Sequence, residues 1–181
     1  MPDLRLVAFL RAINVGGHIV KMESLRGHFV EMGLRNVRTF IASGNVIFDS
    51  TANASALEAK IEKHLRSVLG YEVETFIRSV DEVTQTVAEV EARLRAEIAG
   101  GAHVYVGFLR NLPSEAQQKQ VLALSNEVDV FSFGRRELYW LCHLGMSQTT
   151  VTGPKLAKAL GGPTTARSII SLRKLLLTFA K

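Results

Sequence analysis

The first polar residues along the chain that could bind a ligand follow an apolar, strand-like run. Arg11 ends this run, Asn14 comes next, and Gly16, Gly17 and His18 complete the segment. Arginine offers a planar, permanently charged fork that suits phosphate or carboxylate, and glycines let backbone N–H groups approach a ligand closely. The spacing is neither G-x-G-x-x-G nor the P-loop pattern. It therefore predicts an anion-binding loop without a standard nucleotide fingerprint.

The same residue types are also typical of a purely structural turn. In that interpretation Asn14 and the glycines build a sharp bend, and Arg11 bridges to a neighbouring carboxylate. A second polar group, formed by Ser43, Gly44 and Asn45, suits the tight turn of a β-hairpin and would add donors and acceptors to the same pocket. We predict that the two segments surround one surface depression, whichever of the two roles they serve.

Catalytic and metal chemistry have less support in the sequence. Cys142 and His143 are adjacent on a predicted strand, so their side chains point to opposite faces and cannot form a nucleophile–base pair. Cys142 is predicted to be a buried core thiol. The five histidines have no known metal-binding spacing and there is one cysteine, so we predict no metal and no cofactor. Histidine is a common general base, and His18 lies in the first loop, which leaves an enzymatic role open.

Positive charge is concentrated near the end of the sequence. Residues 135–181 carry eight Lys or Arg residues and a single acidic residue, Glu137. This basic block indicates either a solvated surface or a site for an anion or nucleic acid. Alternation predicts that one of Tyr139 and Trp140 is buried and the other partly exposed, where it could stack on a base. No RNA-recognition signature accompanies them, so sequence-specific nucleic-acid binding is not expected.

Arg167 belongs to this block and is a further candidate ligand residue. It follows a turn and two threonines that could cap a final helix, so its guanidinium is predicted to emerge near the N-terminus of that helix. A cation is disfavoured there by the helix dipole. We therefore expect Arg167 to meet either a carboxylate or a bound anion.

The composition is that of a folded cytoplasmic protein. Hydrophobic residues make up 47% and charged residues 22% of the 181-residue chain, which excludes the low-hydrophobicity signature of disorder. The single cysteine allows no intrachain disulfide, and the first residues have no signal-peptide pattern. No apolar stretch approaches the roughly 20 residues that cross a bilayer, so no membrane association is predicted. The oligomeric state is left open.

Hydrophobic periodicity predicts an α+β fold with two ferredoxin-like (split βαβ) subdomains and antiparallel sheets. In residues 1–80 the order is βαββαβ, with elements at 4–10, 22–32, 37–41, 46–48, 54–69 and 71–78. Residues 81–181 begin with a connecting helix, 80–98, and repeat the order. Their strands are predicted at 103–109, 128–133 and 137–142, and their helices at 114–124, 153–161 and the tail from 168. The repeat is visible as an element order and not as sequence identity.

Several of these segments resemble a known bacterial family. The stretches VAFLRAINVGGH (7–18) and NVRTFIASGNVIF (36–48) are similar to the family catalogued as domain of unknown function 1697, and residues 134–141 and 165–167 resemble its later motifs. The resemblance implies a pair of ferredoxin-like subdomains and no established activity. Ala12 stands where the family usually has Gly, and Ser168-Ile169 where it usually has Asn-Trp. If the family's site uses that Asn or Trp, this member either binds its ligand differently or has lost it.

Three classes of function remain open at this point. The first is a protein that binds a small anionic or nucleotide-like ligand at the Arg11 loop, and it is the preferred hypothesis. The second is a nucleic-acid-associated module that uses the basic block, and the third is an enzyme of unassigned chemistry. A salt titration separates the first two, because binding of a polyanion through several cations weakens steeply with ionic strength.

Overall fold

The computed structural model describes residues 3–179 and divides the chain into two compact units, one ending at Val83 and one beginning at Thr84. Each unit contains a four-stranded antiparallel sheet with helices between its strands. The predicted α+β fold class is confirmed. Within the described residues, no helix is both long and apolar enough to cross a membrane.

The first unit has the order predicted for a ferredoxin-like fold. Its elements are β1 (Leu4–Leu10), α1 (Met22–Glu31), β2 (Arg35–Phe40), β3 (Asn45–Ser50), α2 (Ala54–Leu69) and β4 (Thr75–Ser79). The strand order is β2-β3-β1-β4, so the central strand β1 pairs with both β3 and β4. Both pairings are antiparallel, so the loop that follows β1 lies between the chain segments that precede β3 and β4.

Helix α2 shows how local sequence sets these elements. Asn53 caps its N-terminus by accepting from the Ser55 N–H at 2.8 Å, and Gly70 ends it in the left-handed conformation at φ 81°. Leu57 and the other apolar residues of one face are buried against the sheet. Val68, in the last turn of the helix, is 43% exposed.

The second unit repeats the first with two additional helices before it and one after it. It contains α3 (Val80–Arg93, which begins in the first unit), α4 (Arg95–Ala99), β5 (His103–Phe108), α5 (Glu115–Leu122), β6 (Asp129–Phe133), β7 (Glu137–Cys142), a 3₁₀ turn (Met146–Gln148), α6 (Gly153–Leu160), β8 (Thr165–Ser168) and α7 (Ile169–Leu177). The strand order is β6-β7-β5-β8, equivalent to that of the first unit.

The matching registers reveal a sequence repeat that the pattern of elements had not shown. Val7 pairs with Arg78 in the first sheet, and Val106 pairs with Arg167 in the second. This register aligns VAFLR (7–11) with VGFLR (106–110), and Arg78-Ser79 with Arg167-Ser168. The expectation that the repeat lies only in the element order was therefore wrong. Equivalent positions in the two units can be compared directly.

Candidate functional site

The loop that follows β1 is fixed in place by one amide side chain. Asn14 Nδ2 donates to the carbonyl oxygens of Val20 at 3.2 Å and Ala42 at 2.9 Å, and Oδ1 accepts from the Val20 N–H at 2.7 Å. Asn14 thereby joins the start of the loop, its end, and the turn between β2 and β3. We call these three contacts the Asn14 clamp. Because both amide N–H groups donate to protein carbonyls, Asn14 shapes the loop and does not donate to a ligand.

The other side of the loop rests on the segment before β4. The Arg11 backbone N–H donates to the Glu74 carbonyl at 2.9 Å, and Arg11 Nη1 donates to both carboxylate oxygens of Glu74 at 3.0 and 3.1 Å. The His18 ring stacks on Tyr71 with the ring centroids 3.8 Å apart. The Tyr71 hydroxyl is buried without a hydrogen-bond partner among residues 3–179, and burial raises its pKa.

The Arg11–Glu74 pair is the carboxylate bridge that the structural interpretation of the loop required. It does not occupy the whole guanidinium. Within the described part of the chain the Nε and Nη2 groups of Arg11 have no protein partner, and the side chain is 46% exposed. A surface ion pair of this kind contributes only about 0–1 kcal/mol, so an anion can compete for the same cation.

The second predicted polar group lies beside the loop. The Gly44 carbonyl accepts from the Leu10 N–H at 2.8 Å, and a Cβ placed on Gly44 would lie 2.9 Å from Ile13 Cβ. Asn45, the first residue of β3, is buried and donates to Ser43 Oγ at 2.9 Å and to a hairpin carbonyl at 3.0 Å. The structure thus brings both segments together, with the Asn45 side chain directed into the hairpin and not into solvent.

Left-handed backbone conformations are concentrated here. Ala12, Asn14 and Ile41 have φ values of 63°, 53° and 51°, and Gly16 and Gly17 have 61° and 89°. Positive φ costs a residue with a Cβ roughly 1–2 kcal/mol, and it is rarest for a β-branched residue such as Ile41. Ala12 is the position where the related family usually has glycine, which adopts this φ without strain. The turn at Gly16-Gly17, closed by the His18 N–H donating to Val15 at 3.1 Å, suits its two glycines.

Three apolar side chains are exposed around the clamp. Val15, Ile19 and Ile41 are 58%, 89% and 48% exposed. Each is the sequence neighbour of a residue in the Asn14 clamp. Single exposed apolar residues are ordinary, whereas these three share one loop and the adjacent turn.

Arg167 does not have the environment predicted for it. It lies in β8 and is buried, and its Nη1 donates to Thr165 Oγ1 at 2.8 Å and to the Ala166 carbonyl at 2.9 Å. Burial lowers its pKa to about 10. The N-cap of α7 is Ser168, whose hydroxyl accepts from the Ser171 N–H, and not a threonine. Arg167 does directly precede the N-cap of α7, but its guanidinium does not emerge there, because the residue belongs to β8 and its side chain is buried.

The departure from the family at Ser168-Ile169 lies beside a cavity. The cavity has a volume of about 280 Å³ and is lined by both residues, by His103 and Tyr105 at the start of β5, and by Arg173 of α7. Arg173 Nε donates to Glu91 at 2.6 Å. The cation on the wall of this cavity is therefore already paired.

The aromatic pair of β7 belongs to the second core. Tyr139 and Trp140 are 1% and 6% exposed, so the expectation that one of them is partly exposed was wrong. Their polar atoms bind protein partners, since Tyr139 donates to Glu89 at 3.0 Å and Trp140 Nε1 donates to Asp129 at 2.7 Å. The prediction that Cys142 is a buried core thiol is confirmed. None of these side chains offers a stacking surface for a base.

Sequence reasoning missed the residues that position the site. Glu74 and Tyr71 precede β4, about sixty residues after the groups they contact. Val20 and Ala42 take part through backbone atoms, which any residue type provides. One signal was present: two acidic residues, Glu72 and Glu74, flank the start of a strand that must neighbour β1 in a βαββαβ unit.

Comparisons with known proteins agree with this architecture. A family model described as "Protein of unknown function (DUF1697)" matches residues 4–139. The conserved bacterial protein SP0830 from Streptococcus pneumoniae has a similar fold, with a TM-score of 0.68 and 19% sequence identity, over 99% of this chain and 100% of that one. No curated protein matches the sequence. The match to SP0830 supports the fold alone.

Proposed function

Since this chain belongs to the DUF1697 family of proteins of unknown function, we propose its function from its own geometry: it binds a small anionic ligand on the surface formed by the loop 11–21 and the turn 41–44. We call this the loop–turn surface. The observation that supports the proposal is the Asn14 clamp together with the left-handed residues around it. Strain of this kind persists only where surrounding contacts hold it, and it clusters at functional sites.

The fold itself does not require this strain. The second unit makes the equivalent connection between β5 and α5 with residues 109–114. Within residues 3–179, every non-glycine residue with positive φ lies in the first unit, and three of the four lie in the loop or the turn. We infer that the conformation is maintained for what the loop presents and not for the packing beneath it.

Arg11 supplies the charge in this proposal. Its half-exposed guanidinium has three N–H donors, at Nε and Nη2, that make no hydrogen bond within residues 3–179. Two adjacent donors of this fork match two oxygens of a phosphate or carboxylate. Glu74 then has two effects: it holds the guanidinium in one orientation, and it competes with the ligand for positive charge.

The remaining groups define the kind of ligand. The Gly16-Gly17 turn is open, with no atom within 4 Å of the position a side chain would occupy, so a ligand can approach its backbone closely. His18 and the exposed Val15, Ile19 and Ile41 offer an aromatic and apolar surface around the cation. We therefore propose an anion with an apolar or aromatic body, such as a nucleotide-like molecule, in preference to a bare inorganic ion.

A matched pair of variants tests the proposal. Isothermal titration with inorganic phosphate and with adenosine monophosphate at low salt is compared for wild type, Arg11→Gln and Glu74→Gln. Arg11→Gln is expected to abolish binding. Glu74→Gln is expected to strengthen it by up to about fivefold, because the ligand no longer displaces an ion pair worth about 0–1 kcal/mol.

The control removes the same charge elsewhere in the first unit. Lys63→Gln lies on the exposed side of α2 and should leave the affinity unchanged. Adenosine monophosphate is expected to bind more tightly than phosphate. Binding that survives Arg11→Gln, or weakens in Glu74→Gln, would show that Arg11 serves only the structural bridge and that the loop–turn surface is not an anion site.

A further inference from the structure

A cluster of two histidines and one glutamate joins the two helices of the first unit. His28 and Glu31 lie three residues apart in the last turn of α1, and His64 lies on α2. Glu31 Oε2 is 3.2 Å from His28 Nδ1 and 3.4 Å from His64 Nε2. Each side chain offers one ligand atom, and these atoms all lie within 4.8 Å of one another. The sequence did not predict this cluster, since 36 residues separate His28 from His64.

The geometry points to a binding site for a divalent transition-metal ion, and we propose that His28, Glu31 and His64 are its protein ligands. Imidazole nitrogens and a carboxylate oxygen are a ligand set that Zn²⁺ and its neighbours prefer, whereas Mg²⁺ and Ca²⁺ prefer oxygens alone. Spacing of i and i+3 on a helix places two ligands on the same face, as in metal sites of helical bundles.

The ligand atoms are close enough to share one ion after small side-chain shifts. Glu31 Oε2 is within hydrogen-bond reach of His28 Nδ1 at 3.2 Å and lies 3.4 Å from His64 Nε2, and ligands about 2.0–2.2 Å from a tetrahedral ion are about 3.3–3.6 Å apart. Both histidines also approach the same oxygen of Glu31. The two rings meet edge to face with centroids 5.6 Å apart, so neither ring blocks the other's access to a common point.

His64 supplies an independent observation. Its Nε2 atom is buried and has no hydrogen-bond partner among residues 3–179, although 26% of the side chain is exposed. A buried polar nitrogen without a partner is destabilising unless something satisfies it. A metal ion between this nitrogen and Glu31 would do so, and it would displace any proton from the imidazole.

The surroundings allow the ion to enter and leave a coordination position open. The Glu31 side chain is 61% exposed, so the ion would face solvent with at least one position for water. Lys60 Nζ donates to the Met32 carbonyl at 2.7 Å and holds α2 against the end of α1 without any metal. The ion would therefore bind to helices that are already in place, at the opposite end of α1 from the loop–turn surface.

Zinc binding by the untagged protein tests this inference. Competition with a chromophoric chelator is expected to show one Zn²⁺ per chain, unaffected by a large excess of Mg²⁺. His64→Asn and Glu31→Gln should each weaken binding by more than about tenfold, the loss that even outer-shell partners produce. His143→Asn, an exposed histidine of the second unit, is the matched control and should bind as wild type does.

Two further measurements distinguish a loss of zinc binding from a loss of folding. Circular dichroism of each variant should match wild type, because the three side chains are partly exposed. In a ¹H–¹⁵N spectrum the ring signals of His28 and His64 should shift on adding Zn²⁺, and those of His18 and His103 should not. The proposal is overturned if wild type binds no stoichiometric Zn²⁺, if folded His64→Asn binds as wild type does, or if the control loses binding equally.

Discussion

The connections after β1 and after β5 join equivalent strands and helices of the two units, but they differ in length and in how they are held. Eleven residues, 11–21, join β1 to α1, whereas six, 109–114, join β5 to α5. The short connection ends in a capping box in which Ser114 and Gln117 satisfy each other's backbone N–H groups. In the long one, the N-cap of α1 is Lys21, which makes no side-chain cap, and the Asn14 clamp holds the chain instead. The fold forms with either connection, and the proposed function assigns the additional residues to the loop–turn surface.

The two units also place their polar groups differently. In the first unit Arg11 and His18 are exposed at the end of the sheet. In the second, Asp129 is fully buried, and its two carboxylate oxygens accept from Trp140 Nε1 and Thr149 Oγ1, both at 2.7 Å. Both units bury polar side chains, Arg78 in the first and Arg167 in the second among them, so the comparison teaches that the two units differ at these two sites and not in their overall use of polar residues.

The largest effect is expected from breaking the buried network of the second unit. Asp129→Ala leaves the Trp140 and Thr149 donors without an acceptor, at about 1–3 kcal/mol each, so the free energy of unfolding should fall by about 4 kcal/mol. Urea denaturation followed by circular dichroism measures this loss. The comparison variant is Asp49→Ala in the first unit, whose donors Arg5 and Asn36 can turn to water because they are partly exposed, and it should lose about 2 kcal/mol. Equal losses would contradict the greater cost expected for the fully buried Asp129 network.

Gly44→Ala is the next largest perturbation. Its Cβ would lie 2.9 Å from Ile13 Cβ and 3.2 Å from Leu10 Cβ, at a φ of 75°, so we expect a loss of about 3 kcal/mol from overpacking and strain together. Gly16→Ala has a similar φ of 61° but open space around it, and should lose only about 1 kcal/mol. The difference between their urea midpoints isolates the contact between the turn and the loop.

Breaking the clamp itself should cost less. Asn14→Ala removes three partly exposed hydrogen bonds and leaves an alanine at φ 53°, so we expect a loss of about 2 kcal/mol in the free energy of unfolding. Asn111→Ala, in the exposed connection of the second unit, should change stability by less than about 0.5 kcal/mol. If Asn14→Ala changes the melting temperature as little as Asn111→Ala does, the Asn14 clamp does not stabilise the loop.

The smallest expected effect is on the pH dependence of stability. Burial raises the pKa of Asp129, but hydrogen bonds from Thr149 and Trp140 outweigh it and hold the pKa below the ordinary value of 3.8. The unfolded state therefore binds the proton more readily than the folded state does. The stability contributed by ionised Asp129 is complete above pH 3.8 and is lost as the pH falls through the lowered pKa. Below pH 3.8, wild type should lose stability more steeply than Asp129→Asn, as acid titration of unfolding will show. Parallel curves would contradict this.

Much of the fold followed from the sequence. The bounds of α2 and β7 were predicted to the residue, because a cap, a terminating glycine and strict periodicity mark them locally. The prediction of a β-hairpin around Ser43 and Gly44 is confirmed by the pairing of β2 with β3. The resemblance to DUF1697 is confirmed by the family match. Each of these signals is carried by residues within one short segment.

The candidate site was determined partly by sequence and partly by tertiary structure. The sequence determined that Arg11, Asn14 and the glycines form a polar loop, because side-chain charge and the freedom of glycine are properties of single residues. Only tertiary structure decided that Asn14 binds backbone atoms of Val20 and Ala42, that Glu74 meets Arg11, and that Arg167 is buried. It alone also brought His28 and Glu31 to His64. These contacts depend on strand order and helix packing, which place residues far apart in the chain within one hydrogen-bond length, and no local pattern encodes that distance.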